Sequence, residues 1–366
     1  MKHVLIILML TVLLNFSGKA QCNGSFDICT KPYNEVAFLT THNAFNAGNE
    51  GFSLPNQNDG LTAQLNNGVR ALMLDVYDLW GTVSVYHGTS ILGSASLQSN
   101  LAEIKSFLDN NPNEIVTIIF ECYVSANDIE TEFSNAGLIN YLYTKNGNWN
   151  TLQEMINNNQ RLVVFTDVDD ASTNQPWYHY VWNHAVETHY SVNSINDFTN
   201  DYNRGDANND LFIFNHFVTN SVTGTGMPDD APAVNAYSFL MARIQGHFAQ
   251  YQKFPNFITL DFYELGDGLA VVDSLNATNF SLGISLETTQ KINLYPNPAK
   301  NTLTIKLDQV YKELFIFNPL GEIQLYQPIG MNENEIVIDV ENWSKGTYLV
   351  QITSENGLRT SEFIID

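Results

Sequence analysis

Basic residues are scarce: 16 lysines and arginines stand against 39 aspartates and glutamates in 366 residues, a formal net charge of −23. An average surface this acidic excludes nucleic acid as a partner and electrostatic docking on an anionic membrane. A phosphate substrate stays open, because a site can be locally positive. Cysteine is scarcer still, with three in the chain, so this is no disulfide-dense mini-scaffold. Beyond the N-terminus no run reaches the ~20 apolar residues that a membrane-spanning helix needs. What is plentiful is core material: 44% of the chain is hydrophobic and 12% of the chain is aromatic, which excludes a disordered acidic tail or a collagen-like repeat.

Lys2 and His3 precede an apolar run from Val4 to Leu14, and Ser17-Gly18-Lys19-Ala20 supplies small residues at its exit. That is the pattern of a secretory signal peptide over 1–20, with a mature chain beginning at Gln21 or Cys22. In an exported protein Cys22 and Cys29 are expected to close a small N-terminal loop. Cys122 is left over in the strand-like run Ile115 to Tyr123 and reads as a small buried apolar residue.

Seven apolar runs end in polar or ionisable residues: 37–43, 71–78, 82–87, 115–123, 162–167, 211–216 and 257–264. Continuous apolar strands separated by helical stretches predict a parallel sheet covered on both faces. One such helix is expected to start at Asn100 as N-cap, with Glu103 three positions on, and to stop at Asn110-Asn111-Pro112. The span 21–275 matches the ~250 residues of a TIM-like (β/α) barrel, in which reactive groups collect at the C-terminal strand ends. An eighth strand is expected in the aromatic stretch 177–190. A linker over 276–290 then leads into 291–366, where short strands and turn signals at Asn318-Pro319, Gln327-Pro328 and Lys345-Gly346 predict a small all-β sandwich.

The strand ends carry the chemistry. His42-Asn43 closes the first run, Asp75 sits in the second, His87-Gly88 ends the third and Glu121 the fourth. Alternation along the second run puts Met73, Asp75 and Tyr77 on the barrel interior and Leu72, Leu74 and Val76 toward the helices. Two imidazoles at one barrel mouth suit phosphoryl transfer: one removes a proton from the attacking oxygen and the other protonates the leaving oxygen. Asn43, Asp75 and Glu121 offer three hard oxygen ligands of the kind Ca²⁺ prefers. With only eight basic residues between Gln21 and Leu275, a metal is a better phosphate partner than an arginine cluster.

Ile292-Asn-Leu-Tyr-Pro-Asn-Pro298, Asn318-Pro-Leu-Gly321 and Lys345-Gly-Thr-Tyr-Leu349 resemble the type A C-terminal sorting domain of the type IX secretion system, which implies export across the outer membrane. His42-Asn43, the run from Gly68-Val-Arg70 to Asp75-Val-Tyr-Asp78, His87-Gly88, and Ile115 to Glu121 resemble the X-domain of phosphatidylinositol-specific phospholipase C. Trp177-Tyr-His-Tyr180, Asn203-Arg-Gly-Asp206, Asn215-His-Phe217 and Asp261 to Asp267 bring the likeness closer to its secreted plant and microbial branch. The resemblance implies a phosphodiesterase with His42 as general base, His87 as general acid and Asn43, Asp75 and Glu121 as Ca²⁺ ligands. It gives Asp261 the role of orienting the catalytic histidine, and Arg204 is a phosphate contact on speculation. Met73 stands where metal-dependent animal relatives carry an acid, which leaves the cage one carboxylate short. The implied substrate is an inositol phospholipid or related phosphodiester, met at a membrane surface through loop aromatics such as Phe45, Phe52 or Trp80. Two rivals remain: a head-group or glycan binding module without turnover, and a glycerophosphodiesterase- or sphingomyelinase-D-like enzyme on the same barrel.

Overall fold

A computed structural model describes residues 21–170, 174–277, 292–331, 333–354 and 357–366. The expected signal peptide lies outside the described residues, as does all but the first two residues of the expected linker.

Eight parallel strands form the barrel wall: β1 Phe38–Thr41, β2 Ala71–Leu79, β3 Val116–Cys122, β4 Leu162–Thr166, β5 Tyr178–Tyr180, β6 Ala185–Thr188, β7 Leu211–Asn215 and β8 Phe257–Leu260. They pair in the order β5-β4-β3-β2-β1-β8-β7-β6, and the ladder is open between β5 and β6, which a 3-10 turn, Val181–Asn183, connects. Helices Leu97–Asn110, Ala126–Asn135, Tyr237–Tyr251 and Gly268–Asn276 pack outside. The alternation read from β2 holds: Leu72, Leu74 and Val76 join the outer core against the helices, while Met73 packs on the inner core with Phe38, Ile119 and Phe165.

Three expectations need correction. The run 82–87 is no wall strand: Thr82–Val85 folds back on β2 as an antiparallel hairpin, pairing Val76 with Val85 and Leu79 with Thr82. The aromatic stretch 177–190 therefore supplies two short wall strands, not one. The helix expected from Asn100 begins at Leu97, because Ser96 Oγ accepts the Ser99 N–H (3.1 Å) and takes the capping position. Asn100 is buried inside the helix, donating to the Ser96 carbonyl oxygen, and Glu103 accepts from the Thr62 backbone instead.

Cys22 and Cys29 are disulfide-bonded and Cys122 is a buried free thiol. The C-terminal domain is a sandwich of a three-stranded sheet, with strands Asn293–Tyr295, Thr302–Lys306 and Glu335–Asp339, and a four-stranded sheet, with strands Ile323–Pro328, Glu313–Phe317, Gly346–Ser354 and Gly357–Ile365. Leu303, Ile305, Leu314, Ile316 and Val350 fill the space between them.

Candidate active site

The barrel register brings the strand-end residues together. The His42 N–H, just past β1, donates to the Leu260 carbonyl oxygen at the end of β8 (3.0 Å), so His42 and Asp261 leave adjacent strands side by side. Both chains then turn sharply: Asn43 (φ 46°) and Phe262 (φ 46°), the residues immediately following, sit in the left-handed region. Such backbone is costly for a phenylalanine and recurs where a side chain must be aimed. Asp75 and Glu121 are register partners on β2 and β3, which places two acids in one row across the mouth. His87 arrives from the hairpin that the sequence pattern suggested was part of the wall.

His42 Nδ1 lies 2.9 Å from Asp261 Oδ1, and Asn56 Nδ2 donates to the other carboxylate oxygen, Oδ2 (3.0 Å). A buried carboxylate facing Nδ1 holds the proton there and leaves Nε2 as the open edge of the ring. Phe217 lies flat on the imidazole, ring centroids 4.0 Å apart and planes within 8°. His87 repeats the arrangement: its Nδ1 faces Asp75 Oδ2 at 3.2 Å. Hydrogen bonding to Asp75 raises the His87 pKa above its ordinary value against the opposing effect of burial. Burial raises Asp75, with the His87 hydrogen bond pulling it back and the Glu121 charge pushing it further up. The two imidazole centroids are 6.5 Å apart with their planes at 80°, and the Asn43 amide lies within 2.8 Å of His87 Nδ1 and 3.3 Å of His42 Nε2; His42 lines the pocket wall and His87 stands beside it.

The pocket beneath is lined by His42, Asp75, Glu121, Asp167, Glu187 and Arg204, among others, with Met73 in its wall. Glu121 is solvent-exposed and accepts from the Tyr123 hydroxyl (2.7 Å). Tyr123, Tyr77 and Tyr86 form a ladder of stacked rings beside it, at 4.4 and 4.1 Å. On the opposite wall Arg204 donates from Nε and Nη2 to the two oxygens of Glu187 (2.5 and 3.2 Å) and lies over the rings of Trp182 and Tyr190. Its charge is already matched, so it enters the pocket as half of an ion pair and not as a free cation.

Asp167, at the end of the run 162–167, lines the pocket while its Oδ1 accepts the Cys122 N–H (2.9 Å). His216 is fully buried outside it. Asp78 accepts from the Gly81 N–H in the hairpin turn, and Glu264 from Asn58. Of the aromatics expected to meet a bilayer, Phe45 and Phe52 are buried in the outer core and Trp80, at the hairpin tip, is 95% exposed. The sequence reading missed Asn56 and Phe217, whose roles exist only after folding brings residues 42, 56, 217 and 261 together.

The donors suit a hard cation in kind. Among the described residues no group of three or more His, Cys, Asp or Glu is gathered as a metal site. The oxygen set is instead Asp75, its row neighbour Glu121, and the buried Asn43 amide. With its nitrogen toward Asp75, that amide donates to both carboxylate oxygens (3.1 and 3.3 Å), and its oxygen accepts from His87 Nδ1 (2.8 Å) and lies 3.3 Å from His42 Nε2. Turned over, it presents an oxygen to the carboxylate instead, two acceptors that a cation between them would reconcile.

Two family models match the chain: PI-PLC X 1 over residues 28–276, and Secretion system C-terminal sorting domain over residues 293–366. A PI-PLC X domain-containing protein of Arabidopsis thaliana is 31% identical over 282 residues, covering 70% of this chain and 65% of its own length, so the chain spans a little under two thirds of that relative. PI-PLC X domain-containing protein 1 of Arthroderma benhamiae is 30% identical over 276 residues, covering 70% of this chain and 89% of its own. Among solved structures, a variant of the phosphatidylinositol-specific phospholipase C of Staphylococcus aureus aligns with TM-score 0.47 and 13% identity, over 69% of this chain and 94% of its own.

Proposed function

Since the chain belongs to the PI-PLC X family through residues 28–276, we propose that it is an exported phosphodiesterase that cleaves an inositol phospholipid or related phosphodiester by paired-histidine catalysis. The sorting domain marks it as cargo of the type IX secretion system. The observation that carries the catalytic reading is the pair of imidazoles set edge-on with centroids 6.5 Å apart, each backed at Nδ1 by its own buried carboxylate. In this reading His42 accepts the proton of the attacking hydroxyl at Nε2, while Asp261 stabilises the imidazolium that forms. His87, held toward its protonated form by Asp75, donates to the leaving oxygen. Asn43, Asp75 and Glu121 would hold Ca²⁺, which supplies charge neutralisation for the phosphoryl oxygens when bound. Attack by a ring hydroxyl of the substrate gives a cyclic phosphate, and attack by water gives a linear monoester.

Phosphorus NMR of products from phosphatidylinositol and from other phosphodiesters, with chelator and then with added Ca²⁺, tests the proposal. Turnover that depends on His42 and His87 is expected; turnover indifferent to replacement of both removes it. Met73 and the short acid set favour a second reading, head-group binding without turnover. Saturable binding of inositol phosphate with no product would select it.

A further inference from the structure

The strand Glu313–Phe317 is apolar on both faces. Leu314 and Ile316 point into the sandwich core, whereas Phe315 and Phe317 point out of it, and both are buried. An outward face of this kind on a small sandwich must be covered, and the barrel covers it. Phe315, Phe317 and Ile323 form one apolar cluster with Phe198, Val218 and Phe239 of the barrel domain. The approach is close enough to require glycine on the helix side. Gly246 sits in the middle of helix Tyr237–Tyr251, where glycine is unfavourable, and a Cβ on it would collide with the Gly321 carbonyl oxygen. Nothing within the barrel asks for a glycine there.

The covered face is linked to His42 through Phe239, His216 and Phe217. Phe239, 6.1 Å from Phe315, packs on the ring of His216 at 5.6 Å, and Phe198 stacks on the other side of the cluster at 4.9 Å from the same imidazole. Arg243, on the docked helix, donates from Nη1 to the Asn215 carbonyl oxygen (2.7 Å) and to His216 Nδ1 (2.9 Å). The next residue is Phe217, flat on His42. Docking thus bears on one short segment, Asn215–Val218, from Phe239 and Arg243 together.

We propose that the C-terminal domain is a clamp on the active site: docked through Phe315, Phe317 and Ile323, it holds the segment Asn215–Val218 and with it the Phe217 ring that orients His42. The domain therefore does more than carry an address, and its release loosens the site. The effect on catalysis rests on His42 being the base, but the mechanical coupling does not.

Gly246→Ala separates the two states. With a protease site introduced into the connecting segment 278–291 and cut, the two halves of the otherwise native chain stay together on size exclusion, and Gly246→Ala makes them part. In the uncut chain Gly246→Ala, and Phe317→Ser from the other side, speed amide exchange of His216, Phe217 and Val218 by about tenfold or more, as loss of a packed neighbour does. Amides of Leu72 to Val76, on the far wall, keep their rates. Were the domains not docked, Gly246→Ala would only strengthen its helix and slow exchange along 237–251. Halves that part without any substitution, or exchange at 216–218 that neither variant changes, overturn the clamp. Neither readout uses a substrate, so failure of every phosphodiester assay would sink the phosphodiesterase reading and leave this result standing.

Discussion

Histidine is used in two opposite ways in this barrel. At the mouth, His42 and His87 each face a carboxylate; in the body, His216 faces Arg243 and His247 is enclosed by Phe212, Tyr202 and Tyr251 with neither ring nitrogen hydrogen-bonded. The consequences run in opposite directions. Asp75 raises His87, while burial, seconded by the Arg243 charge, lowers His247 to about 3 and His216 well below its ordinary value. The residue type alone says nothing about proton chemistry; a partner that stabilises the charged form does.

The sharpest break of that contrast is removal of the mouth pair. Replacing both His42 and His87 by alanine is expected to lower turnover by about 10⁴-fold or more, the combined worth of a general base and a general acid. His247→Phe, the same residue type changed in the body, leaves the chemistry in place and acts through stability. Steady-state rates on any accepted phosphodiester, beside thermal unfolding of each variant, check the distinction.

Asp261→Asn probes the partner and leaves the histidine. The amide keeps the size of the side chain but presents no full negative charge to His42 Nδ1, so the imidazolium loses its stabilisation and the tautomer its anchor. A fall of about a hundredfold in kcat is expected, with KM little changed because Asp261 is buried behind the ring. An equal loss in kcat and in binding would instead mean that the carboxylate only supports the fold.

How far these sites were legible follows from the same physics. His42, Asp75, Glu121 and Asp261 stand at the ends of long apolar runs, and a parallel barrel leaves strand ends nowhere else to go, so their convergence could be read from pattern. His87 was found at the mouth for the wrong reason: Thr82–Val85 alternates like a wall strand, yet only tertiary pairing decides that it folds back on β2. The stretch 177–190 reads as one strand and not as β5 and β6, because Tyr178–Tyr180 and Ala185–Thr188 are three and four residues long, too short to show a period. Asn56 belongs to no motif and Asn215-His-Phe217 assigns Phe217 no role; a hydrogen bond to Asp261 and a stacked ring are properties of the assembled site. In the sandwich, the strand Glu313–Phe317 was seen, but its second apolar face announces a partner only once the core face is known.

A smaller effect is expected in the body. With a folded pKa of about 3 against 6.5 unfolded, His247 binds its proton only when the chain opens. Its contribution is therefore complete above pH 6.5 and is lost as pH falls from there toward 3. At pH 5 the deficit is about 2 kcal/mol, from ~1.4 kcal/mol per pH unit. His247→Phe, which fits among Phe212, Tyr202 and Tyr251, removes it. Urea unfolding at pH 8 and pH 5 should show the variant gaining on the parent only at the lower pH.

The mouth inverts that sign, and more weakly. His87 is raised when folded, so its ion pair with Asp75 stabilises fully below pH 6.5 and fades as pH rises through the folded value. His87 is about a third exposed, and solvent screening limits the pair to about 0.2–1 kcal/mol. Asp75→Asn, measured with chelator so that no cation competes for the carboxylate, should therefore cost stability at pH 5.5 and none at pH 9, where it removes a carboxylate charge that burial disfavours. It should also return the His87 titration, followed by NMR, toward the ordinary histidine value. A His87 that titrates identically with and without the Asp75 carboxylate would make the mouth histidines no different in kind from those in the body, and the proton donor would have to be sought elsewhere in the pocket.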